Sequence, residues 1–182
     1  MPFYVFGVLK HALYFLPAYA LARVITIFAL EKRGLKTTAL REAGLLVLFL
    51  YLFALLHVTV NYVRLFGFDF QLAERYNLVP FAGLATVTAA GNTAYAVRNI
   101  LGNIVLFVPL GVLLPLLWRR FTPVKTVIVG AALSLAIEVT QFFTGRGTDI
   151  DDLILNTLGT LCGCCVYLIL RKTIAGRLNY EK

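Results

Sequence analysis

The chain has 182 residues, of which 60% are hydrophobic and 14% charged, against about 45–50% apolar and about 25% charged in an ordinary soluble domain. That balance excludes a soluble protein. The formal charge of +8 does not point to nucleic acid either, because the basic residues stand at the ends of apolar runs and leave no basic stripe interleaved with aromatics.

A bilayer core about 30 Å thick needs about 20 mostly apolar residues per spanning helix, and five stretches meet that requirement. The first lies within Phe3 to Leu30 and is interrupted by Lys10, His11 and Arg23, so that Lys10 and Arg23 must snorkel or pair. Ala18-Tyr19-Ala20 has the small-x-small form of a signal-peptide cleavage site, but no charged segment precedes the apolar run, and a retained helix is expected. The second stretch runs from about Ala43 to Val60. A long segment, Asn61 to Arg98, follows. Its aromatics Tyr62, Phe66, Phe68, Phe70 and Tyr76 are of the type found at membrane interfaces, and Asn77 to Phe81 forms a Pro-containing turn. This segment is expected to lie on the bilayer surface, either covering a pocket with Asn77 or Arg98 turned inward, or serving only as an interfacial anchor. The third stretch, Asn99 to Trp118, contains Pro109 and Pro115, for which a bend is expected rather than a break. The fourth covers about Val124 to Phe143 and the fifth about Leu153 to Leu170. The expected fold is therefore all-α: a polytopic membrane protein forming one five-helix transmembrane bundle over residues 1–182, without repeats or a second domain.

Orientation follows from the loops. Lys32, Arg33, Lys36 and Arg41 precede the second span, Arg119, Arg120 and Lys125 separate the third and fourth, and Arg171, Lys172, Arg177 and Lys182 follow the fifth. With five spans these groups share one side, which the positive-inside rule makes cytoplasmic. The C-terminus is then inside, the N-terminus outside, and the segment between the second and third spans is outer.

Polar residues inside the apolar runs are the informative ones. Ser134, Glu138 and Gln141 fall at i, i+4, i+7 on one stripe of the fourth span; Asn99 and Asn103, and Asp152 and Asn156, fall at i, i+4 on the third and fifth. Gly159 and Gly163 continue the last stripe as a small-xxx-small pair that admits a close neighbouring helix. At 1.5 Å rise per residue, Asn103, Glu138 and Asn156 each lie roughly 6–8 Å inside the outer helix ends. The loop residues Arg146, Asp149, Asp151 and Asp152 add one cation and three carboxylates just above. The expectation is one polar pocket opening outward, since ionisable groups at this depth are costly without a function.

The order of these landmarks resembles the VanZ-like family of membrane proteins. The resemblance is carried by Asn77-Leu78-Val79-Pro80-Phe81, by Asn99-Ile100-Leu101-Gly102-Asn103 through Phe107, Pro109 and Gly111 to Pro115, and by Ser134, Glu138 and Gln141. It ends with Arg146, Asp149-Ile150-Asp151-Asp152, Asn156-Thr157 and Gly159. It spans about residues 77–163 and leaves the first two helices out. It implies a multi-pass protein of the bacterial cell membrane, of the class associated with resistance to the lipoglycopeptide teicoplanin.

Two functional readings follow. In one, the pocket binds or modifies a polar or phosphate-bearing group of an envelope lipid or lipid precursor, with Glu138, Asp151 and Asp152 as working carboxylates and Asn77, Asn99, Asn103, Ser134, Gln141, Arg146, Asp149 and Asn156 as ligand contacts. A divalent cation, magnesium or calcium, would suit Glu138, Asp149, Asp151 and Asp152 as oxygen ligands. In the other, the chain is a non-enzymatic helper that intercepts the lipid-tailed drug or organises envelope proteins. Plain structural roles compete: Asp149 or Asp152 as a helix cap, Glu138 as hydrogen-bonded glue to Gln141 or Asn103, and the asparagines as bonds between helices. His11 and His57 have no companion at ligand spacing, and Cys162, Cys164 and Cys165 read as small packing residues.

Overall fold

Runs of Leu, Val, Ile, Phe and Ala of this length leave the backbone to satisfy its own hydrogen bonds in hydrocarbon, and helix is the form in which one segment does so alone. The computed structural model describes residues 2–60, 67 and 70–174, with side chains from 13 to 171 within those limits. Six helices occur among them: α1 (Pro2–Glu31), α2 (Ala39–Thr59), α3 (Ala82–Ala89), α4 (Thr93–Leu117), α5 (Pro123–Phe143) and α6 (Ile150–Ile174). All but α3 are long and apolar enough to cross a membrane. The five spans expected from the sequence are present, and the chain is a multi-pass membrane protein.

The helix starts carry recognisable chemistry. Thr38 caps α2 by accepting the Arg41 amide, and Thr122 caps α5 by accepting that of Lys125, with Pro123 in the first turn where its missing N–H costs nothing. α4 runs unbroken through Pro109 and Pro115. Two spans begin earlier than their apolar runs imply: α4 at Thr93 rather than Asn99, and α6 at Ile150 rather than Leu153. Asp151 and Asp152 consequently belong to the first turn of α6, where acids complement the helix dipole.

α4 and α6 lie in close backbone contact because glycine removes the side chains between them. A Cβ on Gly159 would strike the Ile104 carbonyl, one on Gly163 the Val108 carbonyl, and one on Gly111 the Thr160 carbonyl. The apolar core is built from Leu48 and Leu55 of α2, Phe107, Leu110, Leu114 and Leu117 of α4, and Ile137 of α5. α1 leans on α2 from outside this core. Tyr19 stacks on Phe49 at 4.5 Å between ring centroids, Phe15 meets Phe53 at 5.5 Å, and Arg23 pairs with Glu42 at 2.7 Å. That pairing is how the basic residue in the first span is accommodated; Lys10 lies outside the described side chains.

One end of the bundle carries the polar landmarks. Two short strands, β1 (Tyr76–Asn77) and β2 (Thr148–Asp149), pair in parallel with Tyr76 opposite Thr148 and Asn77 opposite Asp149. The amides of Gln71 and Ala73 donate to the carbonyls of Phe143 and Phe142 at the end of α5. The segment between α2 and α4 is thereby attached to the α5–α6 connection, while Tyr62, Phe66 and Phe68 fall outside the described residues. At the opposite end the buried Arg41 guanidinium donates to the Leu117 carbonyl at 2.7 Å, joining the start of α2 to the end of α4.

Candidate functional site

The β1–β2 pair sets the upper layer of the site. Asp149, the residue before α6, accepts hydrogen bonds on Oδ1 from the Asp151 amide at 3.0 Å and from Asn77 Nδ2 at 2.9 Å. It is at once a helix cap and the acceptor that holds Asn77. Its own amide donates to Glu138 Oε2 at 3.0 Å, and the Thr148 hydroxyl donates to the Glu138 carbonyl. Glu138, only 4% exposed, is therefore tied to the turn above it instead of to Gln141 or Asn103. It also feels the charges of Asp152, Asp149 and Arg146.

Asp151 is 2% exposed and accepts the Phe81 amide on Oδ1, while its Oδ2 has no hydrogen-bond partner among the described residues. Phe81 is the sole non-glycine residue with positive φ there, at 63°, a conformation that costs about 1–3 kcal/mol and persists only where its surroundings enforce it. Two residues on, Gly83 leaves room for the acids. A Cβ there would lie 3.1 Å from Asp149 Oδ2, 3.4 Å from Asn77 Nδ2 and 3.9 Å from Asp151 Oδ2. The Asn77–Gly83 stretch is thus fastened over the start of α6 by side chain and backbone together.

Below this layer Asn103 Nδ2 donates both to Asn99 Oδ1, at 2.9 Å, and to Asp152 Oδ1. Beside them an open groove of about 450 Å³ is lined by Val58 of α2, by Tyr95, Arg98, Asn99, Gly102, Asn103 and Leu106 of α4, and by Asp152 of α6. Deeper in the bundle Asn156 Nδ2 donates to the fully buried Ser134 hydroxyl at 2.9 Å, and Asn156 Oδ1 is buried without a partner among the described residues. Gln141 and Arg146 turn a third way: Gln141 Nε2 and Arg146 Nη1 each donate to the Thr59 carbonyl at 2.7 Å, closing the end of α2.

The polar residues named from the sequence thus share one end of the bundle but divide into linked groups. Asn77, Asp149, Asp151 and Glu138 form the turn-and-cap layer, Asn99, Asn103 and Asp152 the groove wall, Ser134 and Asn156 an interhelical bond, and Gln141 and Arg146 a tie to α2. Arg146 forms no ion pair with the acids; among the described residues the ion pair is Arg23 with Glu42. Nor do Glu138, Asp149, Asp151 and Asp152 converge as ligands, since no group of three or more His, Cys, Asp or Glu among the described residues is placed to hold a metal ion. Sequence reasoning placed Phe81 only in a turn and missed Gly83 and Thr59. Phe81 and Thr59 act through backbone atoms, which no side-chain pattern reveals, and Gly83 acts by having no side chain.

The comparisons with known proteins bear out the family resemblance. The VanZ/LLP1 family model matches residues 43–171. Protein VanZ of Enterococcus faecium is 31% identical over 118 residues, covering 64% of this chain and 71% of that protein. No solved structure matches. The match takes in most of α2, which carried none of the sequence resemblance but supplies Val58 and the Thr59 carbonyl to the polar end of the bundle; the chain belongs to the VanZ/LLP1 family.

Proposed function

We infer that the chain binds the polar or phosphate-bearing headgroup of an envelope lipid in the groove between α2, α4 and α6, at the outer leaflet. The observation that carries this reading is the groove's mixed lining. Arg98, Asn99, Asn103 and Asp152 offer charge and amide hydrogen bonds, while Val58, Tyr95 and Leu106 offer apolar wall. An amphiphile at the edge of a bilayer has that division, and ligand sites generally combine an apolar wall with a few placed polar groups. The basic connections, which favour a cytoplasmic position, lie at the other end of the helices. The family resemblance implies an association with teicoplanin resistance, which on this reading would follow from a change in the envelope lipid available to the drug.

Binding is supported over chemistry by how the acids are used. Asp149 caps α6, Asp151 holds Phe81, and Glu138 holds the Asp149 amide. Asp152 alone of the four lines the groove. The same allocation supports the second reading, a non-enzymatic helper that intercepts the lipid-tailed drug itself.

Asn103→Leu tests the proposal, because it removes the amide that joins Asn99 to Asp152 and makes the polar wall apolar. In a teicoplanin-susceptible host the wild-type chain is expected to raise the inhibitory concentration and Asn103→Leu to lose that increase, with less phospholipid carried through purification. Wild-type protection and wild-type lipid content in the variant would overturn it.

A further inference from the structure

We propose that the groove selects a zwitterionic headgroup, a phosphodiester joined by a short carbon chain to a protonated amine, with Arg98 receiving the phosphate and Asp152 the ammonium. This rests on the headgroup reading above and adds the class of lipid. The argument begins with two opposite charges that line one groove and do not pair. Asp152 is bound to Asn103 through Oδ1, whereas Arg98 is exposed and makes no hydrogen bond or ion pair among the described residues. Left to themselves in a partly dehydrated groove, a guanidinium and a carboxylate gain from approaching each other. Their separation is built in, because Arg98 stands on the first turns of α4 while Asp152 is anchored at Asn103, about 7.5 Å further along that helix at 1.5 Å per residue.

A ligand carrying only a phosphate would leave Asp152 facing an anion, and one carrying only an amine would leave Arg98 unmatched. A dipolar headgroup satisfies both ends and places no net charge in the groove. The amides fit between: Asn99 and Asn103 share the helical face that separates the two charges, and Asn99 offers a donor to a bridging phosphate oxygen. A primary ammonium presents three N–H donors to Asp152, whereas a trimethylated amine presents none, so the geometry favours the primary amine.

The test uses the full chain in vesicles or nanodiscs containing phosphatidylethanolamine, phosphatidylglycerol or phosphatidylcholine, with retained lipid counted by native mass spectrometry. The wild-type chain is expected to retain phosphatidylethanolamine at least about tenfold over the other two, the worth of one hydrogen bond to a charged group. Asp152→Asn keeps an acceptor for Asn103 and is expected to abolish that preference, with phosphatidylglycerol retention rising because the carboxylate that opposed its phosphate is gone. Arg98→Gln is expected to lower retention of all three. Gly102→Leu supplies an independent variant, since a Cβ at Gly102 meets nothing within 4 Å; its side chain fills the groove without disturbing the packing and is expected to displace lipid of every kind. Soluble phosphoethanolamine competing at millimolar concentration would assign recognition to the headgroup alone, and no competition would assign it to the intact lipid, each in support. Equal retention of the three lipids, sensitive to Arg98→Gln, would overturn the amine assignment and leave headgroup binding standing. Retention insensitive to Gly102→Leu would overturn both.

Discussion

Asp151 is the side chain through which the segment above the bundle is held, and replacing it measures that hold. Its Oδ1 accepts the amide of Phe81, a residue whose φ of 63° is intrinsically unfavourable. Asp151→Ala removes a hydrogen bond to a charged acceptor in a site that water does not reach, worth about 1.5–3 kcal/mol. The local opening equilibrium of the segment should then rise by about 10–100-fold, at about 1.4 kcal/mol per decade. Asp151→Asn retains an oxygen for the Phe81 amide and exchanges only the Oδ2 that has no partner, so its opening is expected to stay within about threefold of wild type. Hydrogen–deuterium exchange followed by mass spectrometry on the purified protein reads both variants. Faster exchange should be confined to peptides within residues 76–89, with α4 and α6 unchanged. Equal exchange in the Ala and Asn variants would refute the role assigned to the Phe81 bond, and a rise spread through α4–α6 would show that Asp151 supports the bundle rather than the segment.

Further outcomes follow from the packing and from the loops. Gly111→Ala drives a Cβ to 2.8 Å from Gly163 Cα and 2.9 Å from the Cys164 amide, and thermal unfolding in detergent is expected to show a loss of about 1–3 kcal/mol. Gly102→Ala on the same helix meets open space and should be neutral or stabilising by up to about 1 kcal/mol, so equal losses would refute the close α4–α6 approach. Gln141→Ala and Arg146→Ala each leave the Thr59 carbonyl one donor; the double variant leaves none and is expected to cost at least about 0.5 kcal/mol more than the two single losses together, whereas additivity would mean the two donors act independently. For orientation, a single cysteine replacing Asn92 should react with a membrane-impermeant maleimide in intact cells, and one replacing Lys36 should not, in a chain whose three native cysteines are replaced. Reaction at Lys36 alone would invert the assigned sides.

Much of this was legible because the bilayer leaves so few options. The five spans follow from apolar length alone, and the i, i+4 spacing of Asn99 with Asn103 becomes a real hydrogen bond at 2.9 Å. The glycines of the fifth apolar run do admit α4, as small residues at helical spacing imply. What was not legible came from partners chosen in three dimensions. Arg146 stands beside three acids in the sequence, but the end of α2 presents carbonyls that its helix cannot satisfy, and Arg146 and Gln141 take Thr59. α6 starts before its apolar run because Ile150-Asp151-Asp152 interrupts the hydrophobic pattern while being good first-turn sequence. β1 and α3 carry too few residues for any periodicity to show.

The division of the acids bears on how the site is reached. If Glu138, Asp149 and Asp151 were free, the natural entrance would be from above, through the turn between α5 and α6, and three carboxylates there would attract cations. Each instead accepts at least one backbone N–H, and Asp149 and Asp151 also fasten Asn77 and Phe81 across that entrance. The acid that lines open space, Asp152, does so on the side where α2 and α4 part, with Val58 and Leu106 at the margin. On the proposed function, a ligand would arrive laterally, from the bilayer, with its polar end leading toward Arg98, Asn103 and Asp152 and its chains remaining among the exposed apolar side chains of the neighbouring spans, Leu56 of α2 and Leu101 and Val105 of α4. The same residues that close the top of the site would thereby leave the side between the helices as the way in for the lipid proposed above.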